Sequence, residues 1–158
     1  MTINVLFVCL GNICRSPMAE AVFRQKVKED GLEDVIVADS AGTGHWHIGK
    51  APHEGTQQLL KEKNIPCEGL KARLLTEEDN THFAYIIAMD KANQRDIKQL
   101  FANTSSSAFI GKLLDFHPNL RGEDVPDPYF TGNFNEVYDM VETSCDHLLQ
   151  WIQRRESL

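Results

Sequence analysis

The sequence predicts an α/β fold: a single three-layer α/β/α domain with a central, twisted, four-stranded parallel sheet, helices on both faces, and an anion-binding loop after the first strand. Three observations carry that expectation. Short apolar runs at Val5–Val8, Val35–Ala38, Tyr85–Met89 and within Phe109–Leu114 alternate with segments of helical period. The first run passes directly into Cys9-Leu10-Gly11-Asn12-Ile13-Cys14-Arg15-Ser16, and Pro17 follows. The 158 residues suit one domain, taken as 1–158, and are enough to bury a three-layer core.

Each element has its own signal. Ser16-Pro17 reads as an N-cap and first helical residue, and Ala19, Val22, Phe23 and Val27 recur at helical spacing until Gly31 ends the helix. The second strand ends at Asp39-Ser40. Two strands flanking one helix make a βαβ unit, whose ligand crevice lies at the carboxyl ends of its strands. The glycine-rich stretch from Ala41 to Ala51 has no periodicity and reads as a loop near that crevice. Pro52 opens a helix through about Lys63, with Leu59-Leu60 inward and Asn64 plus Pro66 ending it. Thr76-Glu77-Glu78-Asp79 looks like the capped start of a short helix. Asp90 follows the third strand, and residues 91 to 102 carry Ile97, Leu100 and Phe101 as an apolar stripe. Asn103–Ser107 is a polar loop. His117–Thr131 is a long irregular one, of a length that compact domains seldom carry without a functional reason. Asn133 with Glu136 caps a final helix striped by Phe134, Val137, Tyr138, Val141, Leu148, Leu149 and Ile152.

The turn after the first strand carries the chemistry. A strand-to-helix turn leaves backbone N–H groups unpaired around one spot, with the positive end of the helix dipole behind them. That spot suits an anion. Arg15 can hold two oxygens of a phosphate with its planar fork, and positive surroundings of this kind favour a cysteine thiolate, the nucleophilic form. The alternative is a buried core cysteine beside a surface arginine. Further along, Pro126 and Pro128 flank Asp127 and limit where its carboxylate can wander.

Cys-x5-Arg-Ser is the phosphate loop of the protein tyrosine phosphatases. The fuller string CLGNICRSPMAE, with Asp39-Ser40-Ala41-Gly42-Thr43, Trp46 and Asp127-Pro128-Tyr129, resembles their low-molecular-weight family over nearly the whole chain. The resemblance implies hydrolysis of phosphotyrosine in proteins, and of small aryl phosphates, through a phosphocysteine intermediate. Cys9 would be the nucleophile, Arg15 and the amides of Leu10, Gly11, Asn12, Ile13 and Cys14 the phosphate cradle, and Asp127 the general acid and base. Ser16 would donate to the Cys9 sulfur, or serve only as a cap. Ser40 would hold Asn12 in a left-handed conformation, or be an ordinary turn residue. Trp46 and Tyr129 would wall a slot for the substrate ring, or simply pack. Animal members carry a histidine where this chain has Leu70, which removes a third partner from the Asn12–Ser40 pair. Protein-arginine phosphatases resemble the chain closely but carry threonine in place of Ile13. Arsenate reductases share the loop but need a downstream cysteine pair that Cys67 and Cys145 do not form.

The bulk numbers bound the rest. A net charge of −7 argues against nucleic-acid binding through a broad basic surface. The N-terminus lacks a basic flank, and its apolar run is broken by Gly11 and Asn12, so neither a signal peptide nor a membrane span is expected. A cytoplasmic monomer acting on tyrosine-phosphorylated proteins is expected, with no metal and no cofactor. Four cysteines at 9, 14, 67 and 145 should be thiols at rest, and Cys14 either protects Cys9 from oxidation or only packs. Two remoter readings are a non-catalytic phosphate-binding regulator and a zinc-bound module using Cys9, Cys14 and a histidine; His45, His47 and Cys67 are a further possible ligand set, otherwise solvated.

Overall fold

The computed structural model describes residues 2–105 and 107–158, so Ser106 of the predicted polar loop lies outside the described residues. Its sheet has the strand order β2-β1-β3-β4, with β1 at Ile3–Cys9, β2 at Ile36–Gly42, β3 at Tyr85–Ala88 and β4 at Phe109–Lys112. Every pairing is parallel. The chain leaves β1 toward β2 on one side and meets β3 on the other, so the carboxyl end of β1 stands at the switch point where α/β sheets open a crevice. Cys9 is the last residue of that strand.

Alternation along β1 sets the layers. Val5, Phe7 and Cys9 face a core shared with α1 (Arg15–Glu29), α2 (Glu54–Glu62) and α6 (Phe134–Glu156). Leu6 and Val8 face the opposite core, with Ile97 and Phe101 from α4 (Lys91–Leu100) and its end, and Phe83 after α3 (Asp79–His82). Both faces of β1 are dry, which is why its run is apolar without a break. α5 is the single turn Pro128–Thr131.

Several boundaries depart from the sequence reading. Ser16 is not the N-cap: α1 begins at Arg15 after Cys14, and the Ser16 hydroxyl sits 2.9 Å from the Cys9 sulfur. Pro17 is still in the first turn, where its missing N–H costs nothing. β2 continues to Gly42, which pairs with Cys9, so Ser40 lies inside the strand opposite Phe7 rather than at its end. A Cβ on Gly42 would stand 2.8 Å from the Leu10 carbonyl oxygen, so this close approach requires glycine. α2 starts at Glu54, because the His53 ring accepts from the Gly55 N–H and acts as the cap. α3 starts at Asp79, whose carboxylate accepts from the Thr76 N–H in place of a hydroxyl cap from Thr76. Leu100 is exposed, leaving Ile97 and Phe101 as the buried stripe of α4. The long loop is interrupted by α5, which Asp127 caps by accepting from the Tyr129 N–H.

Candidate active site

The turn between β1 and α1 is held from outside by its carbonyls. Cys9 O accepts from Thr43 N–H at 3.0 Å, Leu10 O from Gly44 N–H at 2.8 Å and Ile13 O from His53 N–H at 2.7 Å. Cys14 O accepts from Met18 N–H and from the Thr56 hydroxyl. With the carbonyls engaged outward, the amides of Gly11, Ile13, Cys14, Arg15 and Ser16 make no hydrogen bond among the described residues. Unpaired amides on a helix-starting turn form a cradle for an oxyanion.

Asn12 fixes the shape of that cradle. It has φ 56°, in the left-handed region that asparagine tolerates, and its side chain is buried. The amide nitrogen donates to Ser16 Oγ at 2.8 Å and to Ser40 Oγ at 2.9 Å, while the amide oxygen accepts from the Arg73 N–H at 2.9 Å. Ser40 donates in turn to Glu20 at 2.6 Å, and Arg24 bonds the second Glu20 oxygen. Burial pushes the Glu20 carboxyl above its ordinary pKa, against the opposing pull of Ser40 and Arg24. Ser16 Oγ accepts from Asn12 and keeps its own proton, which a Cys9 thiolate 2.9 Å away would accept, and the Asn12 N–H reaches the same sulfur at 3.3 Å.

Arg15 is 2 % exposed. Its Nη1 donates to Asp90 Oδ2 at 2.7 Å and to Val125 O at 2.9 Å, and its Nη2 reaches Asp127 Oδ2 at 3.4 Å. Burial disfavours the charge, but Cys9, Asp90 and Asp127 more than offset it and raise the guanidinium pKa. Its Nε is buried without a partner among the described residues. Cys14 is the opposite kind of group. Burial, with Asp127 and Cys9 nearby, pushes its thiol up to about 12, so it is neutral and poorly nucleophilic at neutral pH.

A pocket of about 380 Å³ opens on the cradle, lined by Cys9, Leu10, Gly11, Ile13, Cys14, Trp46, His47, Asp127, Tyr129 and Phe130. The structure thus gathers Cys9, Trp46, Asp127 and Tyr129 around one opening. Trp46 and Tyr129 are 60 % and 52 % exposed, which suits walls rather than core packing. Asn12, Arg15, Ser16 and Ser40 stand behind the lining. Among the described residues, no group of three or more His, Cys, Asp or Glu is placed to hold a metal ion.

The sequence reading missed five neighbours of the site: Asp90, Glu20, Arg73, His47 and Phe130. Asp90 had a usable signal, its place at the carboxyl end of a strand beside β1. His47 reads in the sequence as a ligand or a solvated residue, yet it lines the pocket beside Trp46. Glu20, Arg73 and Phe130 carried no local signal.

Comparison with known proteins agrees with this geometry. The model of the low molecular weight phosphotyrosine protein phosphatases matches residues 4–158. The chain is 52 % identical over 158 residues to the low molecular weight protein-tyrosine-phosphatase YfkJ of Bacillus subtilis, covering 99 % of each chain. The YfkJ crystal structure superposes with a TM-score of 0.93 at 50 % identity, covering 98 % of this chain and 97 % of that one. A Drosophila arginine phosphatase superposes with a TM-score of 0.88 at 36 % identity, covering 94 % and 97 %. A pocket floored by a cysteine on an amide cradle, and matches that run nearly end to end, have one reading: the chain belongs to the low molecular weight phosphotyrosine protein phosphatase family.

Proposed function

We propose that this protein hydrolyses phosphotyrosine in proteins, and small aryl phosphates, with residues 1–158 working as one domain. The observation that carries this reading is the loop whose carbonyls are tied to neighbouring segments while its amides stay unpaired beside Cys9, with Asp127 lining the same pocket. The Cys9 thiolate attacks phosphorus in line and the bond to the phenolic oxygen breaks. Loop amides and Arg15 hold the three equatorial oxygens, where the charge of a loose transition state lies. Asp127 gives its proton to the departing phenolate oxygen. A water then attacks the phosphocysteine and yields its proton to Asp127, the phosphorus–sulfur bond breaks, and inorganic phosphate leaves. Ser16 supports the sulfur as an anion in both halves. Neither a metal nor a cofactor is required, because the amides and Arg15 supply the positive field.

Leu10 and Ile13 from the loop, with Trp46 and Tyr129, make an apolar slot suited to an aryl ring. Phosphoserine is too short to touch both the walls and the floor. A second reading, protein-arginine phosphatase, is favoured by the likeness to the Drosophila enzyme. Ile13 weighs against it, since it offers no acceptor to the guanidinium of phosphoarginine. We further infer a redox role for Cys14, which shares the turn with Cys9. A cytoplasmic monomer without nucleic-acid or membrane partners fits the charge of −7, and no helix among the described residues is long and apolar enough to cross a membrane. The test is turnover of matched phosphotyrosine, phosphoarginine and phosphoserine peptides. Phosphotyrosine should show the highest kcat/KM; a preference for either of the others would overturn the reading.

A further inference from the structure

Lys112, at the end of β4, is a buried ammonium that the reaction above does not use. Its Nζ donates to Gly122 O at 2.8 Å, Glu123 O at 3.1 Å and Asp124 Oδ1 at 2.8 Å. Three protons meet three acceptors on one short stretch of the long loop. That stretch is tied at its flanks as well. Asp115 accepts from the Lys112 N–H and from the Gly122 N–H, and Asp124 accepts from the Lys91 N–H at the start of α4. Immediately afterwards the Val125 N–H donates to Met89 O at 2.9 Å, and Val125 O receives Arg15 Nη1. Asp127 is two residues further on.

We propose that Lys112 is a positioning residue for Asp127, setting where the carboxyl group meets the leaving oxygen. Without the ammonium, the Gly122 and Glu123 carbonyl oxygens lose their donor, Asp124 Oδ1 keeps only the Lys91 N–H, and the loop relaxes away from β4. The approach of Asp127 is then defined by the Val125 contacts and by the carboxylate's own bonds from Arg15 and the Tyr129 N–H, without the tie to β4. A displacement of about 1 Å at a reacting group can cost roughly a hundredfold in rate. The proposal rests on Asp127 being the general acid.

Lys112→Met keeps the apolar stem and removes the donors. With general-acid help worth roughly 10²–10⁴, kcat/KM for phenyl phosphate should fall about tenfold or more, against less than about threefold for dinitrophenyl phosphate, whose leaving oxygen needs no proton. Competitive inhibition by inorganic phosphate should move less than about threefold, since the cradle is untouched. On an Asp127→Asn background the same substitution should cost no more than about twofold, because the two changes act through one group. Equal loss for both esters, or a full further loss on that background, overturns the proposal. If Lys112→Met does not fold, Asp124→Asn loosens the same tie from the exposed side and should give a smaller loss of the same leaving-group dependence; a uniform loss or none overturns the proposal. Asp127→Asn alone separates the two readings: if its own loss is equal for both esters, the acid assignment falls, and the role of Lys112 with it.

Discussion

Removing the Asn12 side chain tests how the cradle keeps its shape. Asn12→Ala deletes three hydrogen bonds, the buried ones to Ser16 and Ser40 and a part-buried one from the Arg73 N–H. Each is worth about 1 kcal/mol net. An alanine held at φ 56° adds a left-handed penalty of about 1–2 kcal/mol. The expected loss is therefore about 4–5 kcal/mol, the sum of those terms. For a chain of this size that corresponds to a fall in Tm of roughly 8–20 °C. Asn12→Gly loses the same bonds without the left-handed penalty, so it should be about 1 kcal/mol milder than alanine. Urea unfolding at neutral pH under reducing conditions reads both values. A loss under about 1 kcal/mol for alanine would refute the idea that this network bears on the loop. Glycine no milder than alanine would refute the strain argument.

Two further outcomes are expected. Ile13→Thr keeps a branched shape while adding an acceptor for a guanidinium N–H, so the ratio of kcat/KM values on matched peptides should shift toward phosphoarginine; an unchanged ratio removes position 13 as the selector. Cys14, whose thiol is pushed up to about 12, should resist iodoacetate at neutral pH while Cys9 is labelled, yet after brief peroxide it should condense with a Cys9 sulfenic acid. Mass spectrometry should then show a Cys9–Cys14 link that thiol reverses, and a Cys14→Ser protein recovering equally well would end the protective role.

The sheet was legible because both faces of β1 are covered, which leaves an unbroken apolar run, and because Gly11 and Asn12 punctuate its end. The helices showed through their stripes, down to Val137, Val141 and Leu148 on α6. What local reading missed depends on partners distant in the chain. Gly42 reads as loop because glycine marks turns, but its place is set by Cys9 on β1 and by a bridge to Leu74. Ser16 before a proline reads as a cap, yet its hydroxyl is claimed by a sulfur seven residues earlier. Glu20 carries no local signal on α1, because its partner Ser40 comes from β2, 20 residues on. Asp90 stood at a recognisable strand end, but its partner Arg15 lies 75 residues away. The same holds for Lys112, a lysine in a strand whose three acceptors come from the next loop.

The central claim is that phosphate passes through the Cys9 sulfur, and acid quenching during turnover tests it most directly. Mixing the protein with an aryl phosphate, quenching within the first turnovers and mapping the digest should place one added phosphate on the peptide containing Cys9. The Asp127→Asn protein should accumulate more of it, since water then attacks without a base. Cys9→Ser should bind inorganic phosphate but carry no label and show no turnover. A phosphate mapped to any other residue, or substantial turnover by pure Cys9→Ser protein, would contradict the mechanism.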